Sequence, residues 1–156
     1  KTIVYCYLYG HRIDKKNYKL INQIKKFKLS NQVKLIGQKK NITKVMNQLD
    51  IYVQSSSYGE GFPNVVAEAM MCKIPCIVTN SGDSKNIVGD TGWVVPPKNP
   101  KKLALALEKA LIERNTQTKN WSKRKNKARQ RISKYFDINK MIVLYRKLWL
   151  SLMHEK

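Results

Sequence analysis

The sequence has no apolar run that approaches the ~18 residues needed for a membrane-spanning helix. Its first residues, KTIVY, also lack the basic and apolar regions of a signal peptide. We therefore expect the chain to be neither exported nor threaded through a bilayer.

Cysteine is scarce. The three cysteines, Cys6, Cys72 and Cys76, are an odd number, and each stands among apolar neighbours in a predicted strand or helix end. This excludes a disulfide-based small scaffold and predicts buried free thiols in a reducing compartment. The spacing between Cys72 and Cys76 is not that of zinc knuckles, so we predict no metal site.

Acidic residues are few: 10 against 31 lysines and arginines, which gives a net charge of +21. Such an excess has three readings, namely nucleic-acid binding, attraction to an anionic membrane, or solvated lysine-rich helix faces. Residues 98–156 hold 17 basic and 4 acidic side chains, a net +13 of the total. Composition alone does not choose among the three.

Short apolar runs alternate with segments of helical periodicity along most of the chain. This alternation predicts βαβ units, and hence an α/β fold with a Rossmann-like parallel sheet flanked by helices. With 156 residues, the chain is expected to form a single domain over residues 1–156. The predicted strands cover residues 3–9, 33–37, 51–54, 77–79 and 93–95, and the predicted helices cover 15–29, 42–49, 63–70, 82–87 and 100–111.

No strand is predicted beyond Arg114. Residues 116–156 read as a basic, helical C-terminal tail of the same domain. Its basic run lies between Trp121 and Tyr135, and Asp137 is predicted to cap a last helix with an apolar face.

The loop SSSYGEGFPN follows the strand that ends at Gln54 and precedes a helix with Pro63 as its predicted first residue. Parallel sheets bind ligands at the carboxyl ends of their strands, and a helix N-terminus attracts phosphate. Glu68 lies in the helix within reach of a polyol such as ribose, and Glu60 would lie on the opposite side of bound phosphates. A purely stabilising role of a carboxylate near the helix N-terminus, about 0.3–1 kcal/mol, remains the alternative.

The segment Glu60-Gly61-Phe62-Pro63-x4-Glu68 resembles the E-x7-E motif of the retaining glycosyltransferases of family 4, which have the GT-B fold. The resemblance covers about residues 3–115. Further segments follow in the order found in the family: AEAM at 67–70, IPCIVT at 74–79, GDS at 82–84 and IVGDTGWVVPP at 87–97.

The resemblance implies that the chain is the C-terminal, nucleotide-sugar-binding domain of such an enzyme. It assigns Glu60 to the hydroxyls of the donor sugar, as the catalytic residue, and Glu68 to the ribose of the nucleotide. Ile36 and Gly37 would border the nucleobase. The residues implied to hold the pyrophosphate and the sugar are Gly61, Phe62, Pro63, Asn64 and Val65.

The implied reaction moves a sugar from a nucleoside-diphosphate sugar to a hydroxyl acceptor with retention of configuration, in bacterial surface polysaccharide or lipopolysaccharide biosynthesis. No Asp-x-Asp occurs in the chain, which fits a transferase that needs no metal or other cofactor. The family places its diphosphate-neutralising cations upstream of Lys1 and its glycan or lipid-linked acceptor on an N-terminal lobe. We therefore expect this chain alone to be inactive.

The basic tail supports a different class of function: a nucleic-acid-binding or membrane-surface-binding module without catalysis. No reading motif accompanies the basic run, so no specific nucleic-acid partner is expected. Basic clusters gain about 1 kcal/mol per residue near anionic lipid. A cytoplasmic protein bound peripherally to the inner face of the bacterial membrane is therefore one expectation. A cytoplasmic protein whose lysine-rich surface is simply solvated is an equally weighted alternative. A decayed, non-catalytic binding module is the third reading, and the presence of both Glu60 and Glu68 argues against it.

Overall fold

A computed structural model describes residues 3–154; Lys1, Thr2, Glu155, Lys156 and the side chain of His154 lie outside the description. The chain has the predicted α/β fold, with parallel sheets, flanking helices and helices at its C-terminal end. It divides into two compact units, Lys1–Ile42 and Thr43–Lys156. The expectation of a single domain remains a prediction.

In the first unit, strand β1 (Cys6–Tyr9) pairs in parallel with β2 (Val33–Gly37). The predicted strand over residues 3–9 therefore begins three residues late, whereas β2 has its predicted bounds. Cys6 is exposed, which corrects the expectation of a buried thiol. The reason is that β1 is half of a two-stranded sheet, so its faces are only partly covered.

Helix α1 (Tyr18–Lys26) connects the two strands. Its predicted start at Lys15, with Asp14 as the cap, is wrong. The Asp14 carboxylate accepts from the Lys16 amide at 2.7 Å and holds a tight turn instead. Asn17 is the cap, because its side chain accepts from the Leu20 amide at 3.1 Å.

In the second unit, strands β3 (Tyr52–Gln54), β4 (Cys76–Thr79) and β5 (Trp93–Val95) form a parallel sheet in that order. The central strand β4 is buried along its whole length. The bounds of β5 are those predicted, and β3 and β4 differ from the prediction by one residue at their first ends.

Short helices precede and connect these strands: α2 (Ile42–Met46), α3 (Asn64–Met71) and α4 (Ser84–Val88). Helix α2 ends before the predicted Leu49, whose amide donates to the Met46 carbonyl at 2.9 Å in a turn. Pro63 is the N-cap of α3 rather than its first helical residue, because its ψ of 90° is extended.

Three longer helices complete the second unit: α5 (Pro100–Thr116), α6 (Thr118–Tyr135) and α7 (Ile138–His154). Asn99 caps α5 by accepting from the Lys102 amide at 3.0 Å, and the Asp137 carboxylate accepts from the Asn139 amide at 2.9 Å at the start of α7. The buried residues at the interface of the sheet and α5 are Ile77, Val95, Ala106 and Ala110.

Helix α6 packs on α3 and α5, and two of its arginines fasten it to the sheet-bearing body. Arg124 makes two 2.8 Å hydrogen bonds to the Glu113 carboxylate and lies 4.3 Å from the centre of the Trp93 ring. Arg131 donates to the carbonyls of Asn86 at 2.6 Å and Ile87 at 2.9 Å, near the C-terminal end of α4. Part of the basic run is therefore structural rather than a free cationic surface.

Helix α7 has an exposed apolar surface. All side chains from Ile138 to Met153 are exposed, the large apolar ones included. Within residues 3–154, no helix is both long and apolar enough to cross a membrane. The exposed large apolar residues of α7 are Ile138, Met141, Ile142, Val143, Leu144, Tyr145, Leu148, Trp149, Leu150, Leu152 and Met153.

Candidate functional site

Two loops meet at the carboxyl edge of the three-stranded sheet: residues 55–63 after β3 and residues 80–83 after β4. They lie at the same edge because β3 and β4 are parallel. The Thr79 hydroxyl donates to the Ser56 carbonyl at 2.6 Å, and the Asp83 amide donates to the Gly61 carbonyl at 2.9 Å. The loop predicted to carry the chemistry is thus held by the end of the central strand.

Gly82 allows the close approach of the two loops. Its φ is +53°, and an added Cβ would overlap the carbonyl oxygens of Glu60 and Gly61. Glycine adopts a left-handed backbone conformation without strain, and it has no Cβ to overlap the neighbouring loop. The path of the backbone at Glu60 is therefore coupled to a residue on the next loop.

Glu60 is half-buried, and the Ser56 hydroxyl donates to its Oε1 at 2.6 Å. This is the short distance expected of a charge-assisted O–H···O⁻ bond. Among the described residues, no donor approaches the other carboxylate oxygen, so Oε2 can accept a hydrogen bond from a ligand hydroxyl.

The N-terminus of α3 is open. No side chain caps it, and its first turn has no acidic residue. In the described part of the chain, the amides of Asn64 and Val65 have no hydrogen-bond partner. Free N–H groups and the positive end of the helix dipole attract anions, phosphate in particular.

A groove of about 420 Å³ runs along one face of α3 and contains Glu68, which is exposed. The rings of Phe62 and Phe136 lie 5.6 Å apart at its wall. Glu68 therefore has both apolar and polar neighbours in a concave site, as ligand sites commonly do. The groove is lined by Thr43, Met46, Phe62, Asn64, Ala67, Glu68, Met71, Cys72 and Phe136.

Tyr52, at the start of β3, is electrostatically close to both glutamates. Burial, together with smaller electrostatic effects of Cys76, Glu60 and Glu68, raises the pKa of its phenol to about 12. Burial also raises the pKa of the Cys76 thiol. The two carboxylates thus both act on one half-buried, neutral phenol.

The structure brings several of the predicted site residues together within the second unit. Phe62, Asn64 and Glu68 line one groove, while Glu60 and Gly61 occupy the adjoining loop. Pro63 is buried, and Val65 is 39% exposed on the first turn of α3. Ile36 and Gly37 end β2 in the other compact unit.

Sequence reasoning missed six of the nine groove residues: Thr43, Met46, Ala67, Met71, Cys72 and Phe136. Thr43 and Met46 lie on the short helix α2, and Phe136 follows α6 far along the chain. A helical pattern over residues 42–49 was the only local signal, and it pointed to packing rather than to a ligand.

Within residues 3–154, no three His, Cys, Asp or Glu side chains are grouped so that they could hold a metal ion. The expectation that the protein needs neither a metal nor another cofactor remains a prediction.

Comparison with known families assigns the chain to a class of enzyme. Residues 4–131 match the family model described as glycosyl transferases group 1. Because the match covers most of the chain, the protein belongs to this glycosyltransferase family.

Solved structures with the same fold include a glycosyltransferase. A glycosyltransferase from Rickettsia africae ESF-5 matches with a TM-score of 0.82 and 21% identity over 98% of this chain. The Anabaena protein HepE, solved in complex with UDP and glucose, matches with a TM-score of 0.78 and 25% identity over 95% of the chain. Sucrose-phosphate synthase from Thermosynechococcus elongatus matches with a TM-score of 0.77 and 22% identity over 96%.

The chain spans 41% of the length of the Rickettsia and Anabaena proteins and 39% of that of the synthase. No match was found among curated proteins.

Proposed function

We propose that this chain is the donor-binding part of a retaining glycosyltransferase of family 4. It binds a nucleoside-diphosphate sugar, from which the intact enzyme transfers the sugar to a hydroxyl acceptor. The observation that carries the proposal is the open N-terminus of α3, with Glu60 on the loop before it and Glu68 in the groove along it. The solved complexes of HepE with UDP, with UDP and glucose, and with UDP-glucose support a nucleotide-sugar donor.

In the proposed complex, the diphosphate lies at the start of α3. The amides of Gly61, Phe62, Asn64 and Val65 donate to its oxygens, and buried Pro63 fixes the turn from which α3 begins. These groups stabilise negative charge that grows on the diphosphate as the bond to the sugar breaks. Because they are backbone groups, they need little reorganisation during the reaction.

The two glutamates have different tasks. Glu68 accepts hydrogen bonds from the ribose hydroxyls, and its groove can take the nucleoside against Phe62 and Phe136. Glu60 accepts from hydroxyls of the donor sugar through Oε2, since Oε1 is engaged by Ser56. Ile36 and Gly37 are proposed to border the nucleobase.

The proposal extends to the acceptor, the stereochemistry and the location of the intact protein. The acceptor is a glycan or lipid-linked hydroxyl in bacterial surface polysaccharide or lipopolysaccharide biosynthesis. WaaG, a glycosyltransferase of similar structure, is involved in lipopolysaccharide biosynthesis. Transfer proceeds with retention and without a metal. The protein acts in the cytoplasm at the inner face of the membrane, and specific nucleic acid is not a partner.

A groove of about 710 Å³ supports the membrane part of this proposal. Its cationic lining residues are Lys73, Arg129 and Lys134, and no acidic residue lines it. Within residues 3–154, the side chains of Lys73 and Arg129 have no hydrogen bond or ion pair. The same groove favours the second candidate function, a basic surface-binding module without catalysis.

Isothermal titration with nucleoside diphosphates and nucleotide sugars tests the proposal. We expect saturable binding of one nucleotide at about 150 mM salt, near the ionic strength at which surface charges are screened beyond ~8 Å. Glu68→Ala should weaken it, whereas Glu108→Ala, an exposed glutamate on α5, should not. Equal, salt-sensitive binding of every polyanion would instead support the module without catalysis. Because we propose that transfer needs no metal, we expect it to be unchanged after divalent ions are chelated.

A further inference from the structure

We propose that Ser56 and Thr79 are positioning residues for Glu60: the Ser56 hydroxyl orients the carboxylate, and the Thr79 hydroxyl fixes Ser56. The inference rests on the proposed function, because it assigns the two residues to a glutamate that contacts the donor sugar. Its consequence is kinetic. Loss of either hydroxyl should lower turnover with little change in nucleotide affinity.

Thr79 is a rigid anchor. It is 4% exposed, ends the buried central strand and pairs with Val95 of β5. Its β-branched side chain has few rotamers. Its hydroxyl donates to the Ser56 carbonyl at 2.6 Å, across 23 residues of sequence. The position of Ser56 is therefore set by the sheet.

The loop between Ser56 and Glu60 cannot fix the carboxylate by packing. Ser57, Tyr58 and Gly59 are exposed, Tyr58 by 82%. Gly59 has a φ of +82° and open space around the position of a Cβ. Among the described residues, the 2.6 Å bond from Ser56 is the one side-chain hydrogen bond to the Glu60 carboxylate.

The nucleotide has a separate set of contacts in the proposed complex. The amides of α3 and Glu68 hold the diphosphate and the ribose, and none of them depends on the Ser56 hydroxyl. Misplacing a catalytic group by about 1 Å costs a reaction roughly 100-fold, even when binding is intact. The two hydroxyls should therefore affect kcat more than the KM for the donor.

The experiment measures kcat and donor KM in the natural full-length protein for Ser56→Ala, Thr79→Val, Thr79→Ser and the double variant Ser56→Ala/Thr79→Val. We expect the first two to lower kcat roughly 10- to 100-fold, with the KM within about 2-fold. Thr79→Ser should recover most of the turnover, because it keeps the hydroxyl. The double variant should be no worse than the worse single one, since both act through one carboxylate.

Thr91→Val is the matched control. Thr91 is also 4% exposed, and its hydroxyl donates to the Val88 carbonyl at 2.7 Å, so the loss of a buried hydrogen bond is comparable. It should lower the melting temperature as Thr79→Val does and leave kcat unchanged. Equal losses of kcat in Thr91→Val and Thr79→Val, or no recovery by Thr79→Ser, would overturn the positioning role.

Glu60→Gln in the same assay separates this inference from the proposed function. If Glu60→Gln abolishes turnover while Ser56→Ala and Thr79→Val leave it intact, the positioning role alone is wrong. If Glu60→Gln leaves turnover unchanged, the role proposed for Glu60 is wrong, and the positioning role falls with it.

Discussion

Tyr52, the first residue of β3, interacts electrostatically with Glu60 and Glu68. Its phenol is affected by three potential anions, Cys76, Glu60 and Glu68, besides its own burial. Each of these favours the protonated phenol, because ionisation would add negative charge to a poorly solvated region. At neutral pH, Tyr52 is therefore an uncharged neighbour of the two glutamates.

This shift makes stability depend on alkaline pH. In the unfolded chain the phenol ionises near its ordinary pKa of 10, whereas in the folded chain it does so at about 12. The folded state then binds more protons between these values, so the free energy of unfolding falls as the pH rises from about 10 to about 12. Tyr52→Phe should flatten this fall in urea unfolding at pH 9, 10 and 11.

The matched control is Tyr58→Phe, since the side chain of Tyr58 is 82% exposed. Its pH dependence should follow that of the parent protein. Cys76 is present in all three proteins, so its own alkaline contribution cancels from the comparison. An identical slope in the parent and Tyr52→Phe proteins would contradict the assignment.

Gly82 and Gly59 provide a second residue-scale prediction. Both have positive φ, but an added Cβ meets the Glu60 and Gly61 carbonyls only at Gly82. Each Gly→Ala change should cost about 1–2 kcal/mol for the left-handed backbone. Gly82→Ala should cost more and also lower sugar transfer, because the loop at Glu60 must move. Chemical unfolding and kcat measured on both variants check this, and equal effects at the two glycines would contradict it.

At the residue scale, the sequence predicted the loop that carries Glu60, because a glycine-rich segment between a strand and a helix is a local pattern. The roles of Glu60 and Glu68 remain predictions. It did not predict Phe136 or Met46 as parts of the groove. An aromatic or apolar residue at helical spacing is usual for a core, and no local pattern indicates which distant element will lie beside it.

At the scale of elements, most helices and strands were predicted, and the errors lie at their ends. β2 ends at Gly37 and β5 is followed by Pro96, both strong breakers, and the bounds of these strands were predicted correctly. The start of α1 was placed too early because Asp14 and Asn17 are both good caps, and the choice between them depends on the turn at Lys16. Helix periodicity does not encode that choice.

Helix α6 gives an element-scale prediction. Arg124→Lys should lower the free energy of unfolding by about 1–2 kcal/mol, because lysine cannot make the two parallel hydrogen bonds to Glu113 while it lies over Trp93. The Arg124 and Glu113 side chains are only 22% and 14% exposed, so solvent screens the pair little. Urea unfolding monitored by circular dichroism measures the change.

The control is Arg114→Lys on α5. Arg114 pairs with Asp50 at 2.8 Å, but the side chains are 37% and 65% exposed. An exposed pair contributes little, so the change should stay within about 0.5 kcal/mol. Equal losses in the two variants would show that α6 is not fastened through Arg124.

At the scale of the whole molecule, the net charge of +21 comes from two kinds of basic side chain, those with a partner within residues 3–154 and those without one there. Arg124 and Arg131 donate hydrogen bonds to acceptors within the protein. The side chains of Lys73 and Arg129 line a groove and have no hydrogen bond or ion pair in the described part of the chain. The apolar side chains of α7 form a second surface that is exposed. Surfaces of both kinds are where a protein contacts other molecules.

The groove predicts an effect on membrane binding. Reversing two of its charges with Lys73→Glu/Arg129→Glu should weaken co-sedimentation with phosphatidylglycerol vesicles at 150 mM salt, since each basic residue near anionic lipid contributes about 1 kcal/mol. The control Lys101→Glu/Lys109→Glu makes the same charge change on exposed positions of α5. Equal weakening by both pairs would indicate net charge rather than the groove.

The contact between Phe62 and Phe136 bears on where the protein can be shortened. The family match stops at residue 131, five positions before the ring that faces Phe62. A recombinant protein trimmed to that limit keeps both glutamates and the whole of α3 but has no aromatic wall opposite Phe62. Boundaries drawn from aligned sequence would thus yield a domain with an intact motif and an incomplete pocket, so expression and crystallisation should retain α6 to its end and the turn that follows it.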